Sequence, residues 1–140
     1  SSDLTNIYNH HDLSEMRLYP CAYSLTLNVS ENRLNAILNQ RSQDMLVANN
    51  WNVCQYSVLV HMFAQVSGLE AGELVHVIAD AHIYDRHIPI IEELIALTPR
   101  SAPVFIMDKG VDDFYGFTEN SFSLENYQPH PFRHEIPVAV

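Results

Sequence analysis

Ala22-Tyr23-Ser24-Leu25-Thr26-Leu27-Asn28-Val29, then Ser30-Glu31-Asn32, then Leu34-Asn35-Ala36-Ile37-Leu38, is the stretch from which the fold is read. In the first run Tyr23, Leu25, Leu27 and Val29 alternate with Ser24, Thr26 and Asn28, the period of two that a half-buried strand needs. Ser30-Glu31-Asn32 is a turn cluster. Leu34, Ala36 and Leu38 place a second apolar face on the return run. The three pieces predict a hairpin that leads into Gln40-Arg41-Ser42.

Downstream, Asn52 is a good N-cap, and residues 53–67 run almost without charge to Gly68, a natural residue just past a helix end. Such a helix is apolar most of the way round, which predicts a buried central helix. Glu70 to Glu73 reads as a turn around Gly72. Leu74 to Ile78 reads as a buried strand that delivers Asp80-Ala81-His82-Ile83-Tyr84 at its end. A second helix is predicted over 86–98, with Pro89 tolerated in its first turn. Val104 to Met107 and Phe122 to Tyr127 read as strands, and Thr118 as the cap of a single turn. The apolar tail Ile136-Pro137-Val138-Ala139-Val140 is expected to dock on something. Strands and helices mix without strict β-α-β alternation, so the class is α+β or a mixed-sheet α/β layer fold, its sheet packed on the buried central helix.

At 140 residues the chain suits one domain, and 47% hydrophobic residues are enough for a core. Seven Lys and Arg against seventeen Asp and Glu give a net charge of −10. That balance argues against nucleic-acid binding by a broad basic patch and against docking on an anionic membrane. Residues 70–140 hold twelve acids and four bases, whereas residues 1–69 hold five acids and three bases. The few arginines of the nearly neutral first half are therefore the ones to watch. No apolar run of about eighteen residues exists, so no membrane span is expected. Ser1-Ser2-Asp3-Leu4 lacks Met and any signal pattern, as a cut or processed end would. Two cysteines, Cys21 and Cys54, are too few for a disulfide framework and fit a reducing cytosol, with one of them a candidate reactive thiol.

The candidate chemistry is spread along the chain. Cys21, after Pro20 at a strand entry, is either a cleft-facing nucleophile or a buried structural thiol. Cys54 lies inside the apolar helix and reads as structural. In Gln40-Arg41-Ser42-Gln43-Asp44, a guanidinium fork and a hydroxyl side by side suit a phosphate. The other reading is a turn held by an Arg41–Asp44 ion pair. His82 and Tyr84 fall on one side of a strand end, where two polar rings either bind a sugar hydroxyl or half-bury at a sheet rim. His82, His87 and His10-His11 match no zinc spacing, so no metal is expected. No nucleophile elbow, Gly-rich phosphate loop or kinase signature occurs.

Taken in order, Pro20-Cys21, Gln40-Arg41-Ser42-x-Asp44, Asn52, Asp80-x-His82-x-Tyr84 and His87 resemble the thymidylate synthase family. His61-Met62-x-Ala64-Gln65-Val66, Gly68-Leu69-x-x-Gly72-Glu73, Tyr127-x-Pro129-His130-Pro131 and Pro137-Val138-Ala139-Val140 extend the likeness over the whole chain. The resemblance covers the C-terminal half of that family's chain. It implies the family's mixed-sheet fold and an enzyme that makes dTMP from dUMP with 5,10-methylenetetrahydrofolate as carbon and hydride donor.

By that resemblance Cys21 is the nucleophile toward C6 of uracil. Arg41 and Ser42 hold the phosphate, and the charge of Arg41 favours the thiolate. Asn52 reads the uracil edge through its amide; an Asp there would favour cytosine. His82 and Tyr84 hold the ribose hydroxyl. Asp44 contacts folate or orders the ligand loop, and Ala139 belongs to a tail that closes over folate. The resemblance further implies a cytoplasmic homodimer whose site the partner subunit completes. The family's residue after the nucleophile is commonly His, where Ala22 stands here. Ala48-Asn49-Asn50-Trp51 replaces Gly-x-Pro-Phe, and Ala79 replaces a Gly. The family's arginine pair would fall at Ser1-Ser2. Without it and the upstream catalytic Glu, the 140 residues alone are expected to turn over negligibly. Two other readings stand beside this one: a pyrimidine deoxynucleotide hydroxymethylase, and a non-catalytic binding or structural chain.

Overall fold

The computed structural model describes residues 2–137 and has two compact units, Ser1–His82 and Ile83–Val140. In the first unit, β1 (Ser2–Asn6), β2 (Ala22–Ser30), β3 (Arg33–Gln40), β4 (Gln43–Asp44), helix α1 (Asn49–Val66), β5 (Glu70–Ile78) and β6 (Ala81–His82) follow in that order. Four of the strands make one sheet in the order β1-β2-β3-β5, and β4 pairs with β6 apart from it.

The hairpin forms as its sequence predicts. Glu31 and Asn32 make a two-residue turn with φ of 49° and 65°, the positive values whose twist matches that of flanking strands. The register sets Leu25 opposite Leu38, Leu27 opposite Ala36 and Val29 opposite Leu34. One face is therefore apolar. It buries Leu25, Ala36 and Leu38 with Ala22 against Val60 of α1, and Leu27, Tyr56, Leu59, Ala71 and Leu74 pack around them. The other face carries the alternate residues, with Asn39 bonded to Ser24 and Asn35 to Asn28 across the strands. β1 has no counterpart in the sequence reading: Ser-Asp-Leu-Thr-Asn is exposed throughout, so it carries no alternation. It forms by backbone pairing to β2.

Helix α1 packs on the sheet, but its burial is one-sided. Val60 and Ala64 are buried, while Trp51 is 73% exposed and Cys54 lies on the outer face, so Cys54 is not the buried thiol expected of it. The helix also begins earlier than expected, after Ala48, which places Asn52 within the first turn and not at its cap. Its end is as expected. Gly68, at φ +66°, donates to Gln65, and Leu69 donates to Ala64, which together close the last turn.

From there the chain crosses over to run β5 parallel to β3. Glu70 to Glu73, read as a turn, is the start of this strand. The pairing slips between Leu34 and Ala36, and the strand passes so close to β3 there that only a glycine fits. β5 is an edge strand with Leu74, His76 and Ile78 turned inward and Val75 and Val77 exposed, so it is half-buried and not buried throughout.

In the second unit a 3₁₀ turn over Asp85–His87 runs into α2 (Ile88–Ile95), and β7 (Val104–Met107) pairs antiparallel with β8 (Phe122–Glu125). The helix is shorter than the expected 86–98 because Pro99 disfavours helical backbone at Thr98. β8 stops before Tyr127 because Asn126 turns to φ 58°. Thr118 does cap a single turn, reciprocally with Ser121. The segment 127–137 has no regular structure and lies pinned by side chains. His130 bonds to the Thr98 carbonyl, His134 to the Glu93 carboxylate, and His87 Nε2 to the Pro137 carbonyl.

A Cβ on Gly72 would run into Asn35 Oδ1 and come within 2.9 Å of the Leu34 carbonyl oxygen, which is backbone and cannot step aside. Gly72→Ala should therefore lower stability by about 1–3 kcal/mol, read as an earlier urea midpoint.

Candidate functional site

The sheet brings one set of residues together at the C-terminal end of β3. Gln40, the last residue of β3, lies between Ala22 of β2 and Ile78 of β5. On the β2 side the Arg41 amide donates to the Cys21 carbonyl at 2.9 Å. On the β5 side the Ala79 amide donates to the Gln40 carbonyl at 3.0 Å. The loop that carries Cys21 into β2 and the loop after β5 thus both meet the end of β3 where the Arg41-Ser42 turn begins.

Arg41 does not stay within its own turn. Its Nη2 donates to the Tyr19 carbonyl at 2.7 Å and lies 3.8 Å from Cys21 Sγ, and its Nε donates to the Pro20 carbonyl at 3.2 Å. The guanidinium therefore wraps the thiol-bearing loop. Tyr8, which the sequence reading did not single out, donates its hydroxyl to the same Pro20 carbonyl. Cys21 itself is part-exposed just before β2, not a fully buried thiol.

Asp44 organises the next stretch. Its Oδ1 accepts from the amides of Leu46 and Val47, and its carbonyl accepts from the Ala48 amide. The Asn52 amide then donates to the Ala48 carbonyl, so the carboxylate shapes the entry to α1 and with it the placement of part-buried Asn52. β4 runs parallel to β6 with Asp44 directly beside His82. The Gln43 amide donates to the Asp80 carbonyl, and the Met45 amide to that of His82. His82 Nδ1 lies 3.4 Å from Asp80 Oδ2. Within the first unit a backbone bond thus ties Arg41 to Cys21, and the pairing of β4 with β6 ties Asp44 to His82.

Tyr84 and Ala139 stand differently. β6 ends at His82, so the strand alternation that would set His82 and Tyr84 on one side does not reach Tyr84. Tyr84 belongs to the second unit, where its ring meets the buried His87 edge-on, with centroids 5.5 Å apart. Ala139 lies outside the described residues. Among the described residues no group of three His, Cys, Asp or Glu side chains is placed to hold a metal ion.

Besides Tyr8, Gln40 and His76 were given no role from the sequence. Gln40 is only 2% exposed, its Nε2 donates to the Ser42 carbonyl at 2.8 Å, and its Oε1 meets His76 Nε2 at 2.9 Å. The available signal was the register: Leu34, Ala36, Leu38 and Gln40 share one strand face, and a glutamine in a core position needs partners.

The end of the sheet thus brings a part-exposed thiol, an arginine fork, the Arg41-Ser42 turn and a His82–Asp80 pair into the first unit. The family model for thymidylate synthase matches residues 2–140. The solved structure of thermostable thymidylate synthase A from Bacillus subtilis is 38% identical with a TM-score of 0.91, over 98% of this chain and 49% of that one. The chain belongs to the thymidylate synthase family and spans about half the length of that solved relative.

Desolvation holds the His76 imidazole below its ordinary pKa. The unfolded chain therefore binds a proton that the folded chain resists. Stability contributed at this residue is unaffected well above pH of about 6.5 and falls as the pH drops through that value toward the lower folded one. In His76→Gln the loss of urea midpoint between about pH 7.5 and about pH 5 should be smaller than in the unsubstituted protein.

Proposed function

We propose that this chain is the C-terminal half of a thymidylate synthase and carries the nucleophile of dTMP formation from dUMP. The observation that carries the reading is the clamp of Arg41 around the loop of Cys21, in a chain of this family. The Cys21 thiolate adds to uracil C6, and the electron pair of the 5,6 double bond moves to C5, which becomes nucleophilic. 5,10-Methylenetetrahydrofolate supplies the one-carbon unit and the hydride. Cys21 leaves again as thiolate when, C5 having lost its proton, the hydride reaches the transferred carbon and the 5,6 double bond re-forms.

Each remaining residue acts on binding or orientation. The fork of Arg41 and the Ser42 hydroxyl donate to the phosphate. The Asn52 side-chain amide offers a donor and an acceptor, which match the O4 and N3–H of the uracil edge. His82 and Tyr84 would hold the ribose hydroxyl. Of the two residues assigned to folate, Asp44 is part-exposed beside Ser42, and a carboxylate suits the N–H donors of a pterin ring. Ala139 would lie in the closing tail. The exposed sheet face with Val75 and Val77, each 48% exposed, supports a homodimer in which a partner subunit completes the site. None of the described helices is long and apolar enough to cross a membrane, and both cysteines are free, which agrees with a cytoplasmic enzyme.

In the longer protein, Cys21→Ala should lower dTMP formation by roughly a thousandfold or more while dUMP binding persists. Turnover by the variant near the unsubstituted rate would end the proposal. The 140 residues alone should form no measurable dTMP. Asn52→Asp should shift the preference in kcat/KM from dUMP toward dCMP, by about tenfold or more. Chromatography of the product separates methylation from hydroxymethylation, the reading that Ala22 and the changed loop at 48–51 keep in view.

A further inference from the structure

We propose that His76 is a positioning residue for the Arg41-Ser42 turn, acting through the side chain of Gln40. This rests on the reading of that turn as the seat of a nucleotide phosphate. His76 is on the inward face of β5, beside Leu38 of β3 in register. From there its Nε2 reaches Gln40 Oε1, and Gln40 Nε2 reaches the Ser42 carbonyl.

The chemistry of the three groups leaves one arrangement. A backbone carbonyl only accepts, so the amide nitrogen of Gln40 must face Ser42 and its oxygen must face His76. The imidazole nitrogen at that oxygen must then carry the proton. With a side chain at 76 that cannot donate, the Gln40 oxygen would be buried without its partner. Flipping the amide would turn the oxygen toward the Ser42 carbonyl, two acceptors face to face. Either way the turn loses its central tie. Its flanks are held by backbone bonds, Arg41 to Cys21 and Gln43 to Asp80, but the Ser42 carbonyl is held by Gln40. Rotation at that carbonyl swings the Ser42 hydroxyl away from the Arg41 fork, and the pair no longer converges on one anion. The thiol loop, tied by Arg41's backbone and side chain, is disturbed less. The effect therefore falls on anion binding before it falls on chemistry.

The test uses the longer protein, with dUMP affinity, inhibition by inorganic phosphate and kcat measured together. His76→Leu should weaken dUMP binding about three- to tenfold, the range of one lost hydrogen bond, and weaken phosphate inhibition in parallel. Its kcat should stay within about twofold. His76→Gln, whose amide N–H can stand where Nε2–H stood, should restore both affinities. If His76→Leu does not fold, His76→Asn, polar but too short to present its donor there, takes its place. The proposal is overturned if dUMP affinity is unchanged, if kcat falls as far as affinity, or if Gln rescues no better than Leu. If the unsubstituted protein binds dUMP and only the variants behave otherwise than expected, the fault lies with His76. If the unsubstituted protein binds no dUMP, the phosphate reading fails, and this proposal with it.

Discussion

The central strand β3 is paired on both sides, antiparallel to β2 and parallel to β5, and the site depends on that double pairing. A strand with only one neighbour would fix either the thiol loop or the Asp80–His82 loop, not both. Here the last residue, Gln40, stands in register with Ala22 on one side and Ile78 on the other. Three segments far apart in sequence therefore end at the same place. A slip of one residue would turn Leu34, Ala36 and Leu38 out of the core, so the apolar packing that stabilises the sheet also sets the registry of the site.

That coupling explains which parts were legible in the sequence. The hairpin could be read because its alternation is strict and its turn is two residues long. Gly68 could be read because a positive φ at a helix end selects glycine. Residues 70–73 misled because glycine usually signals a turn, and the close approach of β5 to Asn35 is invisible until the partner strand is known. Asn52 misled in a related way. It is a good capping residue by type, but the bonds of Asp44 to Leu46 and Val47 start the helix earlier. The exposure of Cys54 shows that an uncharged helix need not be buried all round.

The site divides along the same line. Cys21, Arg41, Ser42, Asp44 and His82 were legible as a set only through the family resemblance, since no one of them is distinctive alone. The structure adds how the set is assembled, by backbone pairing of β4 with β6 and by Arg41's reach across the sheet end. Gln40 and His76 escaped notice because their role is to each other. A polar pair spanning thirty-six residues of sequence leaves no local pattern.

Arg41 is a strut, and in the proposed reaction it would be a ligand donor as well. Its Nε and Nη2 already hold the carbonyls of residues 19 and 20 beside the thiol. An anion drawn to the same guanidinium, as proposed, would meet the remaining N–H groups of a fork already fixed against that loop. Occupancy of the proposed anion position and the placement of Cys21 would then be linked through one side chain. Whatever free energy the anion spends in shifting the thiol loop, a ligand bonded to the thiol must return to the anion, because thermodynamic coupling between two sites is reciprocal.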